Sequence, residues 1–323
     1  MDRHAAQVLE YEAVRDALRR CCASDLSRRL VDVLAPSTDA ERLRRSLAQV
    51  DQARLLLDTA ERPPLRGLRD VGALIAAARA ANRPLEPDEL SAIAEFLRLA
   101  ETLREWCEAR AKVAPDLAEL AGKTLDHAPL RARLDRCIEA PGAVRDDATP
   151  RLAELRRARL RLEQRLRELM DELTQSPRLR PFLQERTWSL RHGRCVLPVK
   201  LEQKGHVAGV VHDKSAAGST VFIEPREAME PANDLAEARV DEEREVARIL
   251  VELTQETFRD EERLRRTQEV IAWSDFTFAR AAFSREIDGM APRIVDAPAL
   301  RLRRARHPLL TLRSKADPAA PPP

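Results

Sequence analysis

The chain has 323 residues, a net charge of +2, 44% hydrophobic residues, 34% charged residues and only 3% aromatics. That length admits two domains or one elongated body of several parts, and the small net charge excludes a uniformly basic nucleic-acid binder, so any grip on a polyanion must be local. Few rings among many charges predict helices with thin apolar seams, and no run is apolar enough to be a secretory leader or a membrane span.

The first 145 residues read as a string of helices. Leu9, Val14 and Leu18 recur at helical spacing, Ser24 is a candidate N-cap, and Ala35-Pro36 breaks the helix that follows. Ser37 or Thr38 is expected to cap the next helix, with Leu43, Leu47, Val50, Leu55 and Leu57 as its apolar face. A short helix is predicted over 68–81. Another starts at Pro87 and carries Leu90, Ile93, Leu97 and Leu103. Cys21, Cys22, Cys107, Cys137 and Cys195 are odd in number and lack the paired spacing of a metal site, which predicts reduced thiols in a cytoplasm. Gly122-Lys123-Thr124 imitates the end of a phosphate loop, but position 117, where the first glycine belongs, is Leu117.

Asp146-Asp147-Ala148-Thr149-Pro150 is a strong helix start, with a cap candidate and proline at the first helical position. A first arm follows to about Gln175, roughly 40 Å long at 1.5 Å per residue, with Leu152, Leu155, Leu162, Leu166, Leu169 and Leu173 as its seam. Val196 to Leu201, Val207 to Val211 and Thr220 to Ile223 then predict three strands of a small antiparallel sheet. A second arm, from about Pro231 to Arg266, has Leu235, Val240, Ala247, Leu250 and Leu253 on its seam. A last helix over 268–287 collects Trp273, Phe276, Phe278 and Phe283, and Leu300 to Leu310 suggests a strand and turn. The expected fold is mainly α: a helical core plus a long antiparallel coiled-coil lever, with a small antiparallel β clamp inserted between the lever helices.

Charge is distributed unevenly along this plan. Residues 150–176 carry seven arginines against five acids, and residues 230–268 carry seven against twelve, so the arms complement each other. The stretch 187–226 is mildly basic. Arg191, Arg194, Lys200, Lys204 and Lys214 are the candidate phosphate contacts, by charge and independent of sequence. Its only large rings are Trp188 and Phe222, and Phe222 is expected in the core, so base stacking is a poor prospect. Gly193, Gly205, Gly209 and Gly218, with Asp213 and Ser215, are assigned to turns and bulges of the clamp. His212, Asp213 and Ser215 contain the residue types of a hydrolytic triad. Strand alternation would send His212 and Asp213 to opposite faces, so no catalytic residue is assigned. His192 and Cys195 alone cannot complete a zinc site, and no metal is assigned.

These residues also carry a resemblance. HGRCVLPVK (192–200) followed by GVVHDKSAAGSTVFIEP (209–225) resembles a signature of the second type of bacterial MutS-like protein, the anti-recombination and ribosome-rescue branch of the MutS family. LEYEAVRDAL (9–18), LAPSTD (34–39), PPLRGLRDV (63–71), LEPDELSAI (85–93), DDATPRLAELRR (146–157), WSDFTFARAAFS (273–284) and ARHPLL (305–310) resemble it in the same order. The resemblance implies a core over 1–145, a first lever arm over 146–186 and a clamp tip over 187–226. A second arm over 227–267 and a return to the core over 268–310 follow, then a disordered Pro-rich tail over 311–323. It implies branched or mismatched DNA, or collided ribosomes and their rRNA, as partners. It also implies a cytoplasmic homodimer, closed by an ATPase domain with ATP and magnesium, often with an Smr nuclease domain. The ATPase and Smr domains are expected to be missing here, so the chain alone is not expected to hydrolyse ATP or to need a cofactor. A competing expectation is an ATP-independent coiled-coil adaptor whose β tip binds a protein.

Overall fold

A computed structural model of the chain describes residues 3–59, 62–295 and 299–316. It is mainly α, with small antiparallel β elements. The chain divides into two compact units. One comprises residues 1–135, 140–143 and 253–323, and the other residues 136–139 and 144–252. Residues 317–323 of the predicted tail lie outside the described residues.

The first unit is helical. It holds α1 (Arg3–Val8), α2 (Tyr11–Cys21), α3 (Asp25–Asp32), α4 (Ala40–Thr59), α5 (Val71–Ala80), α6 (Pro87–Glu108), α7 (Pro115–Ala121) and most of α8 (Ala128–Cys137). Its centre is α11 (Glu261–Glu286), which touches α2, α3, α4, α5 and α7. A helix with neighbours on several sides cannot keep a single apolar stripe, and α11 accordingly buries Ile271, Phe276, Phe278 and Ala281 together with Thr267, Ser274, Asp275 and Thr277. Asp275 is 2% exposed, and its carboxylate caps α3: the Ala23 and Ser24 amides donate at 3.1 and 3.0 Å, and the Ser24 and Ser27 hydroxyls at 2.6 and 2.5 Å. A buried charge is tolerable there because the orphan donors and positive end of α3 meet it.

Several helix ends follow the sequence. Ser24 caps α3 by accepting from the Ser27 amide, Pro87 opens α6, and Leu90, Ile93, Leu97 and Leu103 are all buried. Other details depart from it. The cap at α4 is Asp39, whose carboxylate accepts from the Arg42 amide at 3.0 Å, not Ser37 or Thr38. The fully buried residues of α4 are Ala53 and Leu56, while Leu55 is exposed. Residues 308–316 form α12 (Pro308–Ala316), a helix opened by a proline where a strand and turn were expected. Residues 311–316, expected as the start of a disordered tail, are therefore helical.

The second unit contains α9 (Pro150–Gln175), four strands and the larger part of α10 (Arg226–Arg259). Between α8 and α9 lie two two-residue strands, β1 (Ile138–Glu139) and β2 (Ala143–Val144). The main sheet has β3 (Ser189–Arg191), β4 (Arg194–Lys200), β5 (Gly209–Lys214) and β6 (Thr220–Pro225), all antiparallel, in the order β3-β4-β6-β5. The extra strand β3 was not foreseen, and residues 201–206 form a 3-10 helix. One face of the sheet, with Cys195, Leu197, Val199, Val221 and Ile223, packs on Leu166, Met170 and Leu173 of α9 and on Ala228, Ala232 and Leu235 of α10.

The two long helices run antiparallel and share ion pairs. Glu242 accepts from Arg156 at 3.0 Å and from Arg159 at 2.6 Å, and the Thr149 hydroxyl donates to Glu245 at 2.9 Å. Thr149 also caps α9 through the Leu152 amide, with Pro150 next. The expected charge complementarity is thus concentrated on two glutamates near the start of α9. The apolar seam differs in detail: Leu235 and Leu253 are buried, but Ile249 takes the place given to Ala247, and Val240 is 42% exposed.

Candidate nucleic-acid interface

The sheet sorts the five predicted cations into two groups. Arg191 and Arg194 face each other across the β3–β4 pair, at the end of the sheet where α10 begins. Lys200 pairs with Thr220, and Lys214 pairs with Val221 on the other side of β6. These two lysines thus stand two strands apart at the opposite end, about 10 Å at the usual strand spacing. Lys204 follows four residues after Lys200 in the 3-10 helix. Lys200 and Lys214 share one end of the sheet, Lys204 lies in the connection that leads from that end to the start of β5, and the two arginines lie at the other end.

The arginines are committed to the protein. The Arg191 guanidinium lies 4.5 Å over the Phe222 ring and 3.9 Å from Asp213. Arg194 donates to Glu224 at 3.3 Å and to Asn233 of α10 at 2.8 Å. Glu224 is 3% exposed and also meets the Nε2 of His212 at 2.6 Å. One buried carboxylate therefore satisfies a guanidinium and an imidazole, the arrangement that burying a charge demands. Neither Glu224 nor Asn233 is singled out by a sequence pattern; alternation from the buried Val221 and Ile223 would have sent Glu224 to the face of Phe222, but not shown it buried.

The lysines are not committed in this way. Lys200 Nζ donates to the Pro181 carbonyl at 3.4 Å, and Lys200, Lys204 and Lys214 are all exposed, with no carboxylate partner among the described residues. Beside Pro181, Phe182 stacks on His206 with centroids 4.7 Å apart and planes at 11°. Arg180 and Arg186, in the same connection between α9 and β3, are exposed. Arg180, Phe182 and Arg186 were missed because the stretch 176–186 reads only as the end of an arm; its three arginines within nine residues were the available signal.

The turn residues fall as follows. His192 and Gly193, with φ of 49° and 76°, form the two-residue turn between β3 and β4, and this left-handed pair suits the twist of a hairpin. The Ser215 hydroxyl accepts from the Thr220 amide at 3.1 Å, and Gly218, at φ 71°, closes the β5–β6 connection onto the Ser215 carbonyl at 2.8 Å. A Cβ on Gly209 would come within 2.0 Å of the Glu224 carbonyl oxygen, so close strand approach requires glycine there. Gly205 lies in the 3-10 helix with open space around it. A bulge between Val211 and Asp213 interrupts the alternation of β5. As a result His212 reaches Glu224 and Asp213 reaches Arg191, both on the face of Phe222, so the expected opposition of these side chains does not hold. Phe222 is half-buried on the face away from the leucine core, which corrects its assignment to that core. The bonds of His212 and Asp213 are spent on neighbours within the sheet. Cys195 points into the core, where burial pushes its thiol up, away from the exposed His192 in the turn.

The Gly122-Lys123-Thr124 triplet closes α7, where Lys123 pairs with Glu119 at 3.2 Å; with no strand before it, it does not fit the phosphates of ATP. Among the described residues, no helix is long and apolar enough to cross a membrane.

No family model matches the chain. Individual relatives do. The endonuclease MutS2 of Symbiobacterium thermophilum is 34% identical over 312 residues, 96% of this chain and 39% of that protein. Those of Pelotomaculum thermopropionicum and of Geobacillus sp. (strain WCH70) are 32% and 33% identical, each over 96% of this chain and 39% and 40% of their own length. The chain spans about two fifths of the length of the curated relatives it matches. Near-complete coverage by these relatives agrees with the paired arms and with the sheet that carries the 192–225 signature, and over the portion that it spans this chain belongs to the MutS-like proteins of the second type.

Proposed function

We propose that the chain is the nucleic-acid-gripping part of a MutS-like protein of the second type, with the sheet as its contact surface. One observation carries this reading: Lys200 and Lys214 stand exposed at one end of a sheet that is packed on two long helices, with Lys204 exposed in the connection from that end to β5, while Arg191 and Arg194 are held by internal partners. Arg191 and Arg194 then shape the sheet, and the lysines meet phosphate. Such contacts follow the backbone of branched or mismatched DNA, or of rRNA in a stalled ribosome. Dimerisation and ATP-driven closing belong to the rest of such a protein, working in the cytoplasm.

The test is a salt titration of binding to fully paired duplex, branched DNA and rRNA. Lys200→Ala/Lys204→Ala/Lys214→Ala is expected to flatten the slope of log K against log salt by about 2 to 3, near 0.7–0.9 for each phosphate that is no longer neutralised. Absence of binding to all three at low salt would sink the reading. A second reading is favoured by one feature of β5. This edge strand exposes Val210 and Val211, at 44% and 46%, beside unpaired backbone, which suits an added strand from a protein partner. In that case a captured protein, and not a polyanion, would protect β5 amides from hydrogen exchange.

A further inference from the structure

A second site is indicated in the helical unit, independent of the reading above. On α4, Arg42, Arg45, Ser46 and Gln49 recur at the spacing of a single helical stripe. On α11, Trp273 and Arg280 are seven residues apart, about two turns along one face. With Leu120 these side chains line a groove with a cavity volume of about 260 Å³. Three guanidinium groups line it and no carboxylate does, in a chain whose 56 basic residues are nearly balanced by 54 acidic ones.

Arg280 is the informative member. It donates to the hydroxyl of Ser46 and, at 3.0 Å, to that of Thr277; its Nε is buried without a partner, and its guanidinium lies 4.6 Å over the Phe276 ring. Hydroxyls are neutral and a ring face is a weak acceptor, so this half-buried charge has no opposing charge among these contacts. Burial pushes Arg280 down to about 10. A methionine would fill the same space without that penalty, which leaves the positive charge to be explained by something that arrives. Arg42 and Arg45 are exposed beside it. Guanidinium forks match phosphate oxygens in pairs of hydrogen bonds. Trp273 is 38% exposed and fixed edge-on to Phe276, with centroids 5.7 Å apart, which leaves a flat apolar surface at the same groove.

We propose that the groove between α4 and α11 binds the phosphate of a nucleotide, free or within a polynucleotide, with Arg42, Arg45 and Arg280 on the phosphate oxygens and Trp273 against the base.

The experiment uses the whole chain carrying Lys200→Ala/Lys204→Ala/Lys214→Ala, so that the sheet lysines do not contribute. Melting temperature and tryptophan fluorescence are followed with inorganic pyrophosphate, AMP and a short single-stranded oligonucleotide, each against sodium chloride at matched ionic strength. Pyrophosphate is expected to raise the melting temperature, and AMP or the oligonucleotide to raise it and also quench fluorescence. Whichever of these two acts at the lower concentration identifies the source as free nucleotide or polymer. The quench is lost in Trp273→Phe. Arg280→Met melts no lower than its parent without ligand and gives no ligand shift, while Arg280→Lys keeps part of it. Arg42→Ala/Arg45→Ala folds as its parent does and binds at least tenfold more weakly; should Arg280→Met fail to fold, this pair decides. The proposal is overturned if pyrophosphate does no more than chloride, if both arginine variants keep the full shift, or if Trp273→Phe keeps the quench.

Discussion

At Gly209 an added methyl group would collide with backbone, not with a side chain that can turn away, since the Glu224 carbonyl belongs to the neighbouring strand β6. Gly209→Ala is therefore expected to cost stability at or above the upper end of the ~1–3 kcal/mol typical of overpacking. Gly205→Ala, with open space around it, stays within ~0.5 kcal/mol. Denaturant midpoints of the two variants separate these cases. The glycines look alike in the sequence; what distinguishes them is register, a long-range property that local composition does not encode. Phe222 makes the same point from the other side. Its neighbours Val221 and Ile223 are core, and an apolar run hides which residue faces away. Only the pairing with β4 and the guanidinium of Arg191 reveal its place.

Among the elements, the paired helices were the most legible, because a capping residue, a proline and a leucine repeat all point to one start and one face. Their fine alignment was not. Ile249 is buried while Val240 is exposed, since an actual helix of 3.6 residues per turn drifts from a seam set at fixed steps. Thr149 has two duties, capping α9 and donating to Glu245, so Thr149→Ala is expected to lose about 1–2 kcal/mol in chemical denaturation. Glu245 is 4% exposed, and Arg248, which donates to both its oxygens at 2.7 and 2.9 Å, holds its carboxyl below the usual range, with Thr149 and Arg151 assisting. A carboxyl depressed in the folded state adds stability above its unfolded pKa of about 4.3, and that stability is lost as pH falls through the lower, folded value. The expected outcome is a loss of stability below about pH 4 that is shallower in Glu245→Gln, which is less stable than the parent at pH 7. Melting curves between pH 3 and pH 7 measure it.

For the molecule as a whole, a net charge of +2 means that position, not total charge, decides where a polyanion lands. Arg161 and Arg165 are exposed on α9, away from the lysine end of the sheet, and Arg161→Ala/Arg165→Ala is expected to leave the salt slope of duplex binding within ~0.5 of the parent. An equal flattening in this pair and in the three-lysine variant would show that binding follows bulk charge. The division into helices, arms and sheet was readable because periodicity and breakers are local signals. Which cations take side-chain partners was not: Arg191 and Lys200 look equivalent in the chain and are both exposed, and only tertiary pairing sets one over Phe222 and beside Asp213 and leaves the other against the Pro181 carbonyl.

The carboxylate of Asp275 sits on the first turn of α3, 251 residues earlier in the chain than itself at Ser24. During synthesis at 5–20 residues per second, the N-terminal helices wait on the order of tens of seconds for this partner. Until α11 leaves the ribosome, the apolar faces of α2 to α5 lack the helix that covers them. The sheet, by contrast, draws all of its strands from within 37 consecutive residues, 189–225, and can pair as soon as they emerge. The early helices thus stay uncovered until the last long helix arrives to cover them.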